Sequence, residues 1–267
     1  SSLATGREFG LLRARWRGSQ GGIGYLGTRV DRPTLARIAQ VHALDGQWYP
    51  VAGLSLRGQA IHSRIDQDPV PANGARALGQ GGQGAWLRAD YAHGRRLLQR
   101  LEVSHYDRGF QINDLGYMRR NDLRELLSAT TLYTRNYPAS SRLQSSSWQV
   151  EGLWRGNLDG DRLHGSLQLG RSLRLRSTAS VDAYAVARTA FVDDLITRGH
   201  GRVGLGTRHE ARVSYETPRY GSVRVYGYLR WLQEGERGSA IESVLEPTWY
   251  ASDALSTSVR LAWIDSS

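Results

Sequence analysis

The chain has 267 residues, of which 22% are charged, and 35 Lys and Arg against 25 Asp and Glu give a formal net charge of +10. It contains no cysteine, which excludes disulfides and thiolate metal sites, and no run approaches the roughly eighteen consecutive apolar residues of a membrane-spanning helix. A transmembrane β-barrel escapes that exclusion, because only alternate residues of its strands meet lipid.

The first element is a strand from Phe9 to Arg17, with Leu12, Ala14 and Trp16 on one face and Arg13 and Arg15 on the other. Gly22–Val30 follows and ends at Asp31-Arg32-Pro33, since Pro cannot donate to a central ladder. Ala36–Trp48 returns, Tyr49–Gly53 turns, and Leu54–Ile65 runs back. Asp66–Gln83, rich in Pro, Gly and Asp, reads as a long connection. Gly84–His93 carries Ala85, Leu87, Ala89 and Tyr91 in alternation, and a turn at His93–Arg96 leads into Leu97–Arg108. A second long connection spans Gly109–Glu125. Leu126–Asn136, Ser147–Asn157, Arg162–Leu175, Val181–Phe191, Thr207–Thr217, Ser222–Gln233, Ala240–Ala251 and Leu255–Asp265 complete about fourteen strands.

Arg162–Arg176 shows the pattern at its clearest. Successive side chains of a strand point to opposite faces. Leu163, Leu167, Leu169, Leu173 and Leu175 therefore share one face, and His164, Gln168, Arg174 and Arg176 the other. A strand of that length, apolar on one side and polar on the other, suits a bilayer. Arg171 is the exception, a cation on the apolar face. At a bilayer midplane it would cost about 2–4 kcal/mol, and close to nothing near an interface, so the expected place for it is the membrane boundary. The short turns, such as Pro218–Gly221 and Ser252–Ala254, alternate imperfectly with longer connections at 66–83, 109–125, 192–206 and 234–239. Short turns on one rim and long loops on the other are the habit of outer-membrane barrels.

The 13 tyrosines and 8 tryptophans far outnumber the 3 phenylalanines. Trp and Tyr favour membrane interfaces, and Trp16, Trp48, Tyr91, Trp148, Trp154, Trp231, Trp249 and Trp263 fall where an interface girdle is expected. The fold expected is all-β, an antiparallel up-and-down transmembrane β-barrel, as a single domain over residues 1–267. Both ends look like cuts, so the chain reads as a portion of a larger barrel.

Candidate chemistry is sparse. Asp66-Gln67-Asp68 and Asp159-Gly160-Asp161 lack the spaced ligands of a calcium loop, and Asp-Gly is an ordinary hairpin turn. Asp193 and Asp194, beside Arg198 and Gly199, suit a loop-ordering salt bridge better than acid–base work. The seven histidines show no ligand-type spacing, and no nucleophile elbow is present. Neither a catalytic residue, a metal site nor a cofactor is expected. The positive charge is spread along the chain, which gives no footprint for a nucleic acid.

Four segments resemble one protein group: His105–Glu125 (HYDRGFQINDLGYMRRNDLRE), Ala85–Val103 (AWLRADYAHGRRLLQRLEV), Val192–Gly199 (VDDLITRG) and Leu245–Tyr250 (LEPTWY). They are similar to the C-terminal barrel of large bacterial outer-membrane proteins of unknown function that carry an N-terminal domain like carbohydrate-binding module family 9. The most specific part is Asp114-Leu115-Gly116-Tyr117-Met118-Arg119-Arg120. The resemblance implies a bacterial outer-membrane location, contact with outer-membrane lipid and lipopolysaccharide, a carbohydrate-binding-like module in the parent protein, and a link to glycan handling. It supplies no catalytic residue. It marks Asp114, Gly116, Tyr117, Arg119, Arg120, Asp193, Asp194, Arg198 and Gly199 as a family-motif loop set.

The function expected is a channel, transport or surface-assembly component, with a protein partner in a complex as one form of the last. The lumen-lining candidates are His164, Gln168, Arg174, Arg176, Arg212, Arg224, Arg230 and Arg260, with Glu210, Glu242 and Glu246 partly compensating. An Arg-lined pore favours anions. The alternative is a soluble or surface-attached all-β glycan binder stacking sugars on Tyr91, Tyr106, Trp148 and Trp154, with an enzyme of glycan breakdown third.

Overall fold

Alternating apolar and polar residues give extended chain almost throughout. The computed structural model describes residues 6–67, 80–113, 116, 118, 120–194, 196, 201–235 and 238–267. The described residues hold seventeen strands: β1 Glu8–Gly18, β2 Gly21–Arg32, β3 Arg37–Trp48, β4 Leu54–Gln67, β5 Gln80–His93, β6 Leu97–Tyr106, β7 Leu123–Thr134, β8 Leu143–Gly156 and β9 Arg162–Leu175. They continue as β10 Ser180–Arg188, β11 Phe191–Asp193, β12 Val203–Leu205, β13 Arg208–Glu216, β14 Val223–Glu234, β15 Ser239–Tyr250, β16 Ser256–Ser258 and β17 Leu261–Ser266. A single 3-10 turn, Pro33–Leu35, is the one helical element among the described residues, and no helix there is long and apolar enough to cross a membrane.

Strands neighbouring in sequence pair antiparallel, and the main sheet runs from β1 to β10 and on through β13, β14 and β15 to β16, with β17 also on β15. β11 and β12 form a separate hairpin. Among the described residues the sheet order is open: β1 pairs with β2 alone, and β16 and β17 with β15 alone. The pairing among the described residues therefore does not close a barrel.

Several expected boundaries move. β5 begins at Gln80, so the glycine-rich QGGQG stretch is strand and not loop. Ala36 is the left-handed residue that ends the 3-10 turn, and not the start of a strand. Residues 192–206, expected as loop, hold the β11–β12 hairpin. The last expected strand is broken into β16 and β17. Val259 donates to the carbonyl of Pro247 (3.2 Å), but Pro247 has no N–H to return, and the ladder lapses there.

The chain divides into two compact units. The first comprises residues 1–91, 100–126 and 155–161, the second residues 92–99, 127–154 and 162–267. In the first, register fixes two faces. One presents Ile23, Leu44, Trp48, Leu56, Ala60, Leu87 and Ala89 outward. The other carries Val30, Ala39, Ala43, Ser63 and Ile65, all buried. In the second unit Leu169, Ala185, Ala211, Trp231 and Ile241 line up on one face. Leu163 departs from the expected lipid-facing row: it is buried because the chain after β10 folds against that end of β9, where Thr189 donates to the Gly165 carbonyl (2.9 Å).

Candidate functional site

In the second unit the more exposed face of the sheet is the apolar one. In the second unit Leu229 is 56% exposed and Leu245 49%, while Glu210 on the opposite face is 8% exposed. Apolar side chains face out, and the ionic side chains, Glu210 the most buried of them, gather on the other face.

That face carries a connected set on β10, β13, β14 and β15, with Arg260 between β16 and β17. Glu210 accepts from the Tyr184 hydroxyl (2.7 Å) and from Arg230 Nε (2.9 Å), and Arg208 lies 3.4 Å away. Arg230 also reaches Glu242 (3.3 Å), which accepts from the Tyr228 hydroxyl (2.7 Å). Arg212 bonds the Tyr226 hydroxyl and lies over the Tyr228 ring, 3.8 Å from its centre. Arg260 reaches the Tyr228 hydroxyl at 3.4 Å. Cross-strand register makes this possible: Arg212 stands opposite Arg230, and Arg230 opposite Glu242. Two like charges placed opposite each other are unfavourable. Here the carboxylates of Glu210 and Glu242 and the ring of Tyr228 offset that cost. The four arginines outnumber the two carboxylates, so the set keeps a cationic excess.

The other expected polar-face residues are placed as follows. Arg174 pairs with Asp182 (3.1 Å) and Arg224 with Glu216 (2.7 Å). His164 meets Phe191 edge-on, 5.4 Å between ring centres. Glu246 stands opposite Tyr226, and Gln168 opposite Val186. Arg176 does not stand on the strand face. It lies in the turn after β9, where its guanidinium donates to the carbonyls of Ser141, Tyr137 and Pro138.

Among the aromatics, Trp249 stands opposite Val223 and Trp231 opposite Ile241. Val223 to Trp231 is a stretch of nine residues, close to the roughly nine to eleven of a tilted spanning strand. Trp263 lies opposite Ser243, Trp48 opposite Leu56, Tyr91 opposite Leu54 and Trp16 opposite Ile23. Trp154 is exposed. Arg171 does face the apolar side. Its guanidinium lies over the Trp148 ring, 4.5 Å from the centre, and reaches the Tyr137 hydroxyl in the connection that follows β7. The Ser146 hydroxyl, and then Arg171, hold the Tyr137 phenol below its ordinary range. Tyr106 is stacked on Phe110, 5.4 Å apart.

In the first unit Asp90 gathers Arg57 (2.6 Å), Arg88 (2.8 Å) and Arg100 (2.9 Å), and Asp45 takes Arg13 (2.9 Å). A feature the sequence reading missed lies beside them. The chain leaving β6 folds back over the polar face of β4 and β5, and Phe110 is fully buried there. Gly82 and Gly84 form its floor. A Cβ on Gly82 would stand 2.1 Å from the Phe110 nitrogen, and one on Gly84 3.0 Å from its ring. Gln111 N donates to Ser63 Oγ (3.0 Å), and Asp107 exchanges bonds with Gln83 in both directions (2.9 and 3.1 Å). Arg108 is tied to Asp122 (3.2 Å) and to Asp159, and Asp122 also accepts from Leu158 N (2.9 Å). Glycines two apart in QGGQG were the available signal: at that spacing both lie on one strand face, bare of side chains.

Of the family-motif set, Asp114, Tyr117, Arg119, Arg198 and Gly199 lie outside the described residues. Gly116 N donates to the Ile112 carbonyl (2.9 Å) and Arg120 to that of Asn121 (3.3 Å). Asp193 accepts from Ile196 N (2.9 Å), and Asp194 lies just past β11. Asn157 and Asp161 bond each other across the NLDGD turn (2.8 Å).

No family model matches this sequence, and no curated protein matches it either. Among solved structures the chain is similar to one described as the CymD monoaromatic hydrocarbon channel, at 10% sequence identity and a TM-score of 0.30, over 98% of this chain and 81% of that one.

Proposed function

We propose that the chain forms an outer-membrane β-barrel whose exposed apolar face meets lipid and whose polar face lines a cationic, anion-preferring channel. One observation carries the reading: exposed Leu, Val and Trp rows stand back to back with a part-buried Arg–Tyr–Glu set on the same strands. In water that arrangement exposes the wrong face. In hydrocarbon it is the expected one. Arg212 and Arg260 are the residues on which a passing anion would act, since Arg230 is engaged by two carboxylates. The folded-back segment around Phe110 narrows the polar side of the first unit, so the passage is a restricted one. The outer-membrane lipid partner belongs to this reading.

The test is a planar bilayer with a salt gradient across it. Wild-type protein should conduct, with a reversal potential of anionic sign. Arg212→Glu with Arg260→Glu should move that potential toward cations. A failure to conduct, or cation preference in the wild type, would overturn the proposal.

A further inference from the structure

The turn between β5 and β6 brings three arginines together beside the end of β7. Arg96 N donates to the His93 carbonyl (3.4 Å) and closes a two-residue turn. Gly94 stands first in that turn at φ +56°, in the left-handed region that glycine adopts freely. Tyr133 N donates in its turn to the Arg96 carbonyl (2.7 Å), which ties the turn to β7. His93, Arg95, Arg96, Tyr133, Arg135 and Asn136 then border one pocket of about 780 Å³. All six belong to the second unit. Backbone bonds, and not attraction between side chains, gather these cations.

The pocket has no acid to balance them. Its lining includes neither Asp nor Glu, and among the described residues none of Arg95, Arg96 and Arg135 has an ion-pair partner. Asp90, the carboxylate nearest the turn in sequence, is already taken by Arg57, Arg88 and Arg100. By contrast, Arg13 has Asp45, Arg174 has Asp182 and Arg224 has Glu216. Arg135 lies over the Tyr133 ring, 4.7 Å from its centre, which orients the guanidinium and leaves its charge uncancelled. A recess lined by one sign of charge concentrates counter-ions, and guanidinium forks suit oxyanions. Three of them also set the kind of anion. A carboxylate brings one charge and two oxygens. A phosphate monoester brings about two charges and three acceptor oxygens, one for each arginine.

We propose that this pocket binds a phosphate monoester on Arg95, Arg96 and Arg135. The volume leaves room for the group that the phosphate esterifies, against Tyr133 and Leu132, which is 48% exposed. The site goes beyond the channel reading: none of its residues belongs to the Arg–Tyr–Glu set, and binding there needs no bilayer. Such a monoester is either a small soluble molecule or the head of a lipid, and the chemistry that recognises it is the same.

The experiment uses the full chain in detergent at constant ionic strength. Phenyl phosphate and benzoate, which share a ring and differ in the anion, are titrated by calorimetry. Dioleoylphosphatidic acid, a monoester, and dioleoylphosphatidylcholine, a diester, are offered separately and counted by native mass spectrometry. Tighter binding of phenyl phosphate than of benzoate assigns a soluble ligand. Retention of phosphatidic acid over phosphatidylcholine without it assigns a lipid. Arg95→Gln, Arg96→Gln and Arg135→Gln should each weaken that binding about tenfold, which corresponds to about 1.4 kcal/mol. Arg124→Gln removes the same charge elsewhere on β7 and should leave it unchanged. All four variants should keep the wild-type circular dichroism. No preference for the monoester in either pair, unchanged binding in the three pocket variants, or an equal loss in Arg124→Gln overturns the site.

Discussion

Leu229 and Ser214 are near neighbours on β14 and β13, yet they belong to opposite faces: Leu229 stands opposite Val213, and Ser214 opposite Tyr228. That difference of one residue sets the outcome of adding a charge. Leu229→Arg should cost about 2–4 kcal/mol if the exposed face lies at bilayer depth. Ser214→Arg should cost well under 1 kcal/mol, since the polar face already accommodates arginines. Equilibrium unfolding in liposomes would read the contrast, and equal costs would mean the faces are misassigned. Arg230 gives a second prediction. Arg230→Gln leaves Glu210, whose side chain is 9% exposed, and Glu242 short of a partner. A loss of about 1–3 kcal/mol is expected, below the range for a fully buried pair because Arg230 is itself partly exposed. Urea unfolding measures it, and restoring Lys at the same position should recover part of the loss. Arg171 belongs to this scale too. Alternation alone puts a cation on the apolar face, and the Trp148 ring and the Tyr137 hydroxyl make that position tolerable.

Elements differ in how far neighbouring residues determine them. β13, β14 and β15 stand close to their sequence-derived limits because regular alternation and short turns at 217–222 and 251–255 leave one workable register. β5 is the opposite case. Its start, QGGQG, carries the residues of a loop, and strand pairing at Gly81 and Gly82 with Arg64 and Ser63 is what makes it a strand. The gap this leaves is filled by Phe110. Gly82→Val should unseat the segment 107–113, because its side chain would occupy the Phe110 backbone position. The expected readouts are faster proteolysis within that segment and, in a bilayer, a conductance larger than wild type. Unchanged cleavage would show that the segment is held by Ser63 and Asp107 alone. The row of His42, His62 and Gln83 was equally hidden: these positions have no spacing that marks a site, and only the register aligns them.

At the scale of the whole molecule, the proposed barrel makes a prediction for the edge strand β1. The continuous path holds fourteen strands, counting β16 and β17 as one interrupted strand. An even antiparallel path leaves its two edge strands running in opposite senses. Unpaired edge amides cannot stay unbonded in hydrocarbon. In liposomes, then, both sets of β1 amides, those facing β2 and those facing away, should resist hydrogen exchange. Protection of the β2-facing set alone would show that the edge stays open.

The sequence by itself determined most of the strands and their two faces, because the two-residue side-chain period of extended chain is a local property that neighbouring residues reveal. Tertiary structure decided the rest: the fold-back of Phe110 onto Gly82 and Gly84, the Arg–Tyr–Glu set, the cover over Leu163, the break opposite Pro247 and the row of His42, His62 and Gln83. Each of these depends on which residues stand opposite one another across strands, and register is set by long-range pairing that no short stretch of the chain contains.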